Sequence, residues 1–279
     1  MIHYTRTDWR NEMYIIGAII EKERLSVALF DKEYKLLLKN EGTASDFKKI
    51  CENTMSEYGI KPADVEYIGV GTDGSAEADA CGPGIKCYKD SLINARALGE
   101  AYTLNDAPSL FMLKIDDNIE NSIVIDKKIY SGAYRSGGKA AHTVIDFGGY
   151  ECSCGRRGCF EVYASNSGLK RIAAEAGVEG AEAVTHKKLF EMNTPNAELA
   201  KKLYVEYLAS GIMNIINLFQ TNELVLEGPF TEVGDALMEP MMEIILREQY
   251  SHSMPNKCNI RFSKKDEDTA LIGAALLGR

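Results

Sequence analysis

Ala141–Glu161, AHTVIDFGGYECSCGRRGCFE, is the stretch whose reading decides the fold. It places one histidine and three cysteines in the spacing His142-x9-Cys152-x-Cys154-x4-Cys159. Imidazole and thiolate are ligands that Zn²⁺ prefers, and three sulfurs with one nitrogen complete a tetrahedron. Gly148-Gly149 and Gly155…Gly158 let the backbone double back, so that ligands close in sequence can converge. The competing reading is a set of free thiols beside a lone histidine, which leaves the spacing and the glycines unexplained. A closed four-ligand site keeps no position open for substrate, so the predicted zinc is structural.

Outward from that segment, composition sets limits. The chain has 279 residues, 45% of them apolar and 26% charged, which suits a globular protein with a sizeable core, and its length suits two lobes. A net charge of −9 argues against a nucleic-acid-binding surface, which needs a basic stripe. Seven cysteines, three of them in the metal segment, read as reducing-compartment usage and not as a disulfide framework. The early apolar run Met13–Ile20 is too short for a membrane span or a secretory signal, so a cytoplasmic protein is expected.

Residues 1–12 read as a loose polar leader. Tyr14–Ile20 and Leu25–Asp31 then predict a β-hairpin, which Tyr34–Leu38 could extend to a meander. A helix is expected over Asp46–Tyr58 with Ser45 as N-cap, then a strand at Tyr67–Gly71 and a helix over Ser91–Tyr102. Ser109–Ile115 and Ser122–Ile125 read as strands joined by an acidic turn, Asp116–Asn121, and Ile129-Tyr130 resumes the sheet. Beyond the metal segment, Ser165–Gly177 and Glu182–Met192 are helical candidates. Pro195–Phe219 is the strongest helix, with Leu199, Leu203, Tyr207, Leu208, Ile212, Ile215, Ile216 and Phe219 at helical spacing. A strand at Glu223–Leu226, a helix over Gly234–Arg247, a strand at Asn259–Phe262 and a small-residue helix over Thr269–Leu277 follow. The alternation gives an α/β chain in two lobes: residues 13–92 with 264–279, and residues 93–263 carrying the metal.

The metal segment resembles the signature of the ROK family (repressors, open reading frames, sugar kinases), GH, nine residues, then CxCGxxGCxE. Here it stands as Ala141-His142, nine residues, then Cys152-Ser153-Cys154-Gly155-Arg156-Arg157-Gly158-Cys159-Phe160-Glu161. Ile125-Asp126-x-Lys128-Ile129-Tyr130-x-Gly132-Ala133 before it and Tyr163-Ala164-Ser165 after it also match, as does the closing Glu267–Ala275. The resemblance implies a two-lobe actin-like ATPase fold of the ribonuclease H-like type, with ATP and a sugar meeting in an interlobe cleft. It also implies that His142 and Glu161 touch sugar hydroxyls, an alternative for Glu161 being a brace of the zinc site.

Other kinase elements depart from the family pattern. Where the family's first hairpin turn reads DxGGT, this chain has Ile19-Ile20-Glu21-Lys22-Glu23, without the aspartate on the magnesium side. The second phosphate loop, GTGxGGG in the family, falls on Asp116–Ser122, where Asp116, Asp117 and Glu120 bring negative charge to a phosphate cradle. Each like-charge contact costs on the order of 1–4 kcal/mol. A third glycine-rich element is Glu227-Gly228-Pro229, where proline removes a donor. The family's catalytic NDAN motif aligns so that Leu92 stands at the aspartate; Asp90, two residues earlier, is the nearest substitute base. The literal Asn105-Asp106-Ala107 reads as a surface turn. A family glutamate that contacts sugar becomes Lys139, which predicts an acidic or phosphorylated ligand or, alternatively, a solvated lysine.

Expected, therefore, is a kinase-derived protein with doubtful Mg-ATP binding that senses a sugar or serves as a partner subunit, with no catalytic residue of its own. The alternative is a divergent hexose or N-acetylhexosamine kinase using Asp90 as base and the acidic turn for Mg²⁺. The Pro195–Phe219 face suggests a homodimer or a hetero-oligomer with a related kinase. The family's repressors carry a DNA-reading segment ahead of this fold, and the 12 residues before the first strand, with the acidic charge, predict no nucleic-acid contact.

Overall fold

The computed structural model describes residues 13–75, 84–104, 108–134, 137–248 and 258–279. The predicted leader and the Asn105–Ala107 turn lie outside them. The chain divides into two compact units, Met1–Asp106 with Asp266–Arg279, and Ala107–Lys265.

In the first unit, β1 (Tyr14–Glu21), β2 (Arg24–Phe30) and β3 (Leu36–Thr43) form an antiparallel meander, with α1 (Phe47–Tyr58) leading to β4 (Val65–Thr72). β5 (Lys86–Ser91) runs into α2 (Leu92–Thr103), and the sheet order is β3-β2-β1-β4-β5. β1 pairs antiparallel with β2 and parallel with β4. As the central strand it is apolar on both faces. Ile16, Ala18 and Ile20 meet Phe47, Cys51 and Met55 of α1, while Ile15 and Ile19 join Leu92 and Ala95 of α2 and Leu271 and Ala274 of the C-terminal helix, Glu267–Leu276. That helix lies so close to the sheet that a Cβ on Gly69 would sit 1.8 Å from the Ala274 carbonyl oxygen.

The second unit repeats this order. β6 (Ser109–Ile115), β7 (Ile119–Ile125) and β8 (Lys128–Ile129) are the antiparallel part. After the metal segment come α3 (Glu161–Ala164), α4 (Asn166–Glu175), α5 (His186–Glu191) and α6 (Pro195–Phe219). β9 (Glu223–Glu227), α7 (Asp235–Glu248) and β10 (Asn259–Phe262) complete a sheet ordered β10-β9-β6-β7-β8. α6 starts as its sequence requires, with Pro195 in its first turn and the Thr194 hydroxyl accepting from the Ala197 N–H. Its Tyr204, Leu208, Ile212 and Ile215 pack with Phe111, Leu113 and Leu226 of the sheet in one core.

Several expectations are corrected. β3 runs on through the polar Lys39–Thr43, and β5, largely exposed, is a strand the periodicity did not reveal. Both lie at the edges of their sheet, where little apolar surface is needed. The acidic turn shrinks to Asp116–Asn118, because Ile119–Asn121 pair with β6. Asp46, not Ser45, occupies the N-cap of α1, and the Ser45 hydroxyl instead bonds Thr43. Only His186–Glu191 of the candidate helix Glu182–Met192 is α-helical. Leu199 of α6 is half exposed; small residues, Ala197 and Ala200, take the buried face there. α2 lies in the first unit, where Gly99 and Ala95 meet the backbone of the C-terminal helix, so the boundary expected after residue 92 falls later. Cys87, exposed on β5, is disulfide-bonded, so the expected reduced state fails at that position. No helix among the described residues is long and apolar enough to cross a membrane.

Candidate functional site

The metal segment folds as a knuckle held by its own backbone. Cys152 N–H bonds the Arg156 carbonyl at 2.8 Å and Gly155 N–H the Cys152 carbonyl at 2.9 Å, while Gly155 and Gly158 take positive φ of 84° and 72°. A bridge between Val144 and Cys159 closes the base, so that the strand leaving His142 runs beside the last cysteine. The donor atoms of His142, Cys152, Cys154 and Cys159 consequently lie within 4.8 Å of one another. His142 Nδ1 is 3.6 Å from Cys152 Sγ, and Cys154 Sγ is 3.6 Å from Cys159 Sγ. Bond lengths of about 2.3 Å to sulfur and 2.0–2.1 Å to nitrogen in a tetrahedron put donors roughly 3.6–3.8 Å apart. These four residues therefore fit zinc.

Electrostatics agree with that fit. Burial pushes the Cys159 thiol up to about 12, and the neighbouring sulfurs push the same way. Cys154, exposed, is lowered, chiefly by a backbone hydrogen bond from Arg156. Three sulfurs this close cannot all ionise without a cation among them, and a divalent ion supplies that charge.

With Nδ1 turned to the sulfurs, the Nε2 of His142 faces away and has no partner among the described residues. Glu161 opens α3 directly beyond Cys159 and Phe160. Its Oε2 accepts the Ile119 N–H at 3.1 Å, a brace on the start of β7, and its Oε1 has no partner among the described residues. Lys139 is exposed, and among the described residues only its backbone carbonyl is engaged, by His142 N–H at 3.2 Å.

The elements aligned with phosphate loops are tied up internally. In the β1–β2 turn, Lys22 N–H donates to Asp73 Oδ2 at 2.7 Å, and Glu21 pairs with Arg96 of α2 at 2.8 Å. In the β6–β7 turn, the Asn166 amide donates to Asp116 Oδ1 at 2.7 Å and to Asp117 Oδ1 at 3.0 Å. Gly228 is followed by Pro229 and leaves no room for a side chain, a Cβ falling 2.0 Å from the Ile115 carbonyl oxygen. Leu92 is buried in the first unit's core. Asp90 is the last residue but one of β5, its Oδ1 accepting from Ser91 N–H and from the Asn94 amide, both at 2.7 Å. Asp73, Arg96 and Asn166 were not singled out by sequence. Their partners stand 49 to 75 residues away, and no local pattern marks such pairs.

Comparison with known proteins places this arrangement. The model of the ROK family matches residues 84–279. The chain belongs to the ROK family. A xylose repressor of Caldicellulosiruptor bescii is 24% identical over 201 residues, 67% of this ROK chain and 50% of the repressor. A glucokinase of Halalkalibacterium halodurans is 27% identical over 206 residues, 67% of the chain and 62% of the kinase. This chain thus spans about half to three fifths of those two relatives. In fold it is similar to a ROK hexokinase of Thermus thermophilus, with a TM-score of 0.79 and 22% identity over 95% of this chain and 97% of that one. The two-sheet α/β architecture is the ROK kinase-like fold.

Proposed function

We propose that this ROK chain binds a sugar or sugar derivative without phosphorylating it, as a sensor or as the partner subunit of an active relative. Leu92 carries the reading. The position aligned with the family's proton-accepting aspartate holds a leucine that is 3% exposed and packed in the core, and an alkyl side chain takes no proton. The internally bonded β1–β2 and β6–β7 turns support it, since their donors and carboxylates already have protein partners. Zinc is the proposed metal, held by His142, Cys152, Cys154 and Cys159 in a structural role. The ligand's hydroxyls are proposed to meet His142 Nε2 and Glu161 Oε1, with Lys139 pairing an acidic substituent.

Calorimetric titration tests the proposal. Mg-ATP is expected to give no saturable heat, while one of a panel of hexoses, N-acetylhexosamines and their phosphates does. A Lys139→Glu variant should weaken the acidic members of the panel at least tenfold and spare the neutral ones. Clear Mg-ATP binding with ATP-dependent loss of free sugar would sink the reading. It would favour the second one, a divergent sugar kinase, for which the glucokinase relative and the position of Asp90, two residues ahead of α2, speak.

A further inference from the structure

One side chain joins the two arms of the metal knuckle to the helix that carries Glu161. Tyr163, two residues beyond Glu161 in α3, is 1% exposed. Its hydroxyl donates to Asp146 Oδ2 at 2.7 Å and accepts the Tyr150 N–H at 3.3 Å. Asp146 follows His142 by four residues and Tyr150 precedes Cys152 by two, so a single hydroxyl spans the loop between the first and second ligands. Space is kept for it by Gly149, where a Cβ would sit 1.8 Å from the Tyr163 oxygen and 2.8 Å from Asp146 Oδ2. The Tyr163 ring is fixed on its faces, 4.2 Å from the Tyr207 ring of α6 and 5.3 Å from that of Tyr150. Tyr150 is in turn held by Arg171, 4.4 Å over its ring, and by Glu175 at its hydroxyl.

We propose that Tyr163 is a positioning residue through which the metal loop sets the place of the Glu161 carboxylate. α3 is a single turn of four residues and has too few internal hydrogen bonds to fix its own rotation. Its orientation is set by its contacts: Glu161 Oε2 accepts the Ile119 N–H, the Val162 and Ala164 carbonyls accept from Arg171 and the Tyr204 hydroxyl, and the Tyr163 hydroxyl on Asp146 is the contact that reaches the metal loop. When the four ligands close on a cation, Asp146 and Tyr150 are drawn into register, and Tyr163 transmits that register to Glu161. When the loop loosens, the hydroxyl loses its acceptor and α3 its reference.

The sugar arm of the test rests on the proposed sugar binding; the metal arm rests on the proposed zinc alone. Zinc affinity is measured by competition with a chromophoric chelator on the full chain, for wild type, Tyr163→Phe, Asp146→Ala and the double variant. Outer partners of metal ligands change affinity by about 10–100-fold. Each single variant is expected to lose about tenfold, and the double variant little more than Tyr163→Phe alone, because both break the Tyr163–Asp146 hydrogen bond. Zinc-saturated Tyr163→Phe should then bind the sugar that wild type binds about fivefold to tenfold more weakly. Wild-type zinc affinity in both single variants, or losses that multiply in the double, overturns the proposal, as does full sugar affinity in zinc-saturated Tyr163→Phe. If Tyr163→Phe fails to fold, Asp146→Ala decides alone, in both arms. If no sugar binds wild type, the functional reading fails and the zinc cycle still judges the coupling.

Discussion

Asp266 caps the C-terminal helix, accepting from the backbone N–H groups of Asp268 at 3.4 Å and Thr269 at 3.2 Å and from the Thr269 hydroxyl at 2.6 Å. Those bonds, the Thr269 hydroxyl first, hold its carboxyl below the ordinary value of 3.8. A carboxyl lowered by folding adds stability that is fully present above its unfolded value and is lost as pH falls through the folded one. Asp266→Ala should therefore cost about 1 kcal/mol at pH 7, and the gap to wild type should close as pH drops well below 3.8. Urea unfolding at a series of pH values measures it, and a gap independent of pH would show that the cap contributes through something other than its charge. Glu267 beside it is also lowered. Burial alone would raise it, but Lys39, Ser26 and Arg24 outweigh that. The acid limb is thus shared, and the Asp266 share is the wild-type-minus-variant difference.

At the scale of elements, the metal knuckle was the most legible part of the sequence, because its four ligands and its turn glycines all lie within eighteen residues. β1 and α6 were legible for a related reason: each carries enough apolar residues to announce its period. β5 was not, since Lys86–Ser91 is exposed and polar and becomes a strand only by pairing with β4. Nor could the clamp of Asp116 and Asp117 on Asn166 be read, as it depends on how β6, β7 and α4 meet. The knuckle's local character makes a prediction about its metal. A site filled at 100 times its Kd stabilises by about 2.7 kcal/mol, and that increment belongs to the second unit alone. Adding a zinc chelator should lower hydrogen-exchange protection in Ala140–Ala164 and leave the β1–β2 hairpin amides of the first unit unchanged. Equal loss in both would mean that the cation is not a local staple.

For the whole molecule, connectivity matters more than any one site. Among the described residues the chain builds five strands and two α-helices of the first unit, passes through the second, and returns to lay one last helix on the first sheet. That helix buries Leu271 and Leu276 with Ala270, Ala274 and Ala275. At about 2 kcal/mol per leucine and about 0.8 kcal/mol per alanine methyl, this is roughly 6 kcal/mol of apolar burial. It is comparable with the whole net stability of a domain, about 5–15 kcal/mol. The fit is also unforgiving, because Gly17, Gly69 and Gly99 bring three different elements against its carbonyl oxygens. Removing residues 266–279 should therefore unfold the first unit, although its five strands are all still present. Gly69→Ala, which forces a methyl to within 1.8 Å of the Ala274 oxygen unless the helix shifts, should cost about 3 kcal/mol. Exchange protection of the β1 and β4 amides reads both changes. If the truncated chain kept β1 protected as in the full chain, the sheet would be stable without its last helix, and the first unit would be complete before the second begins.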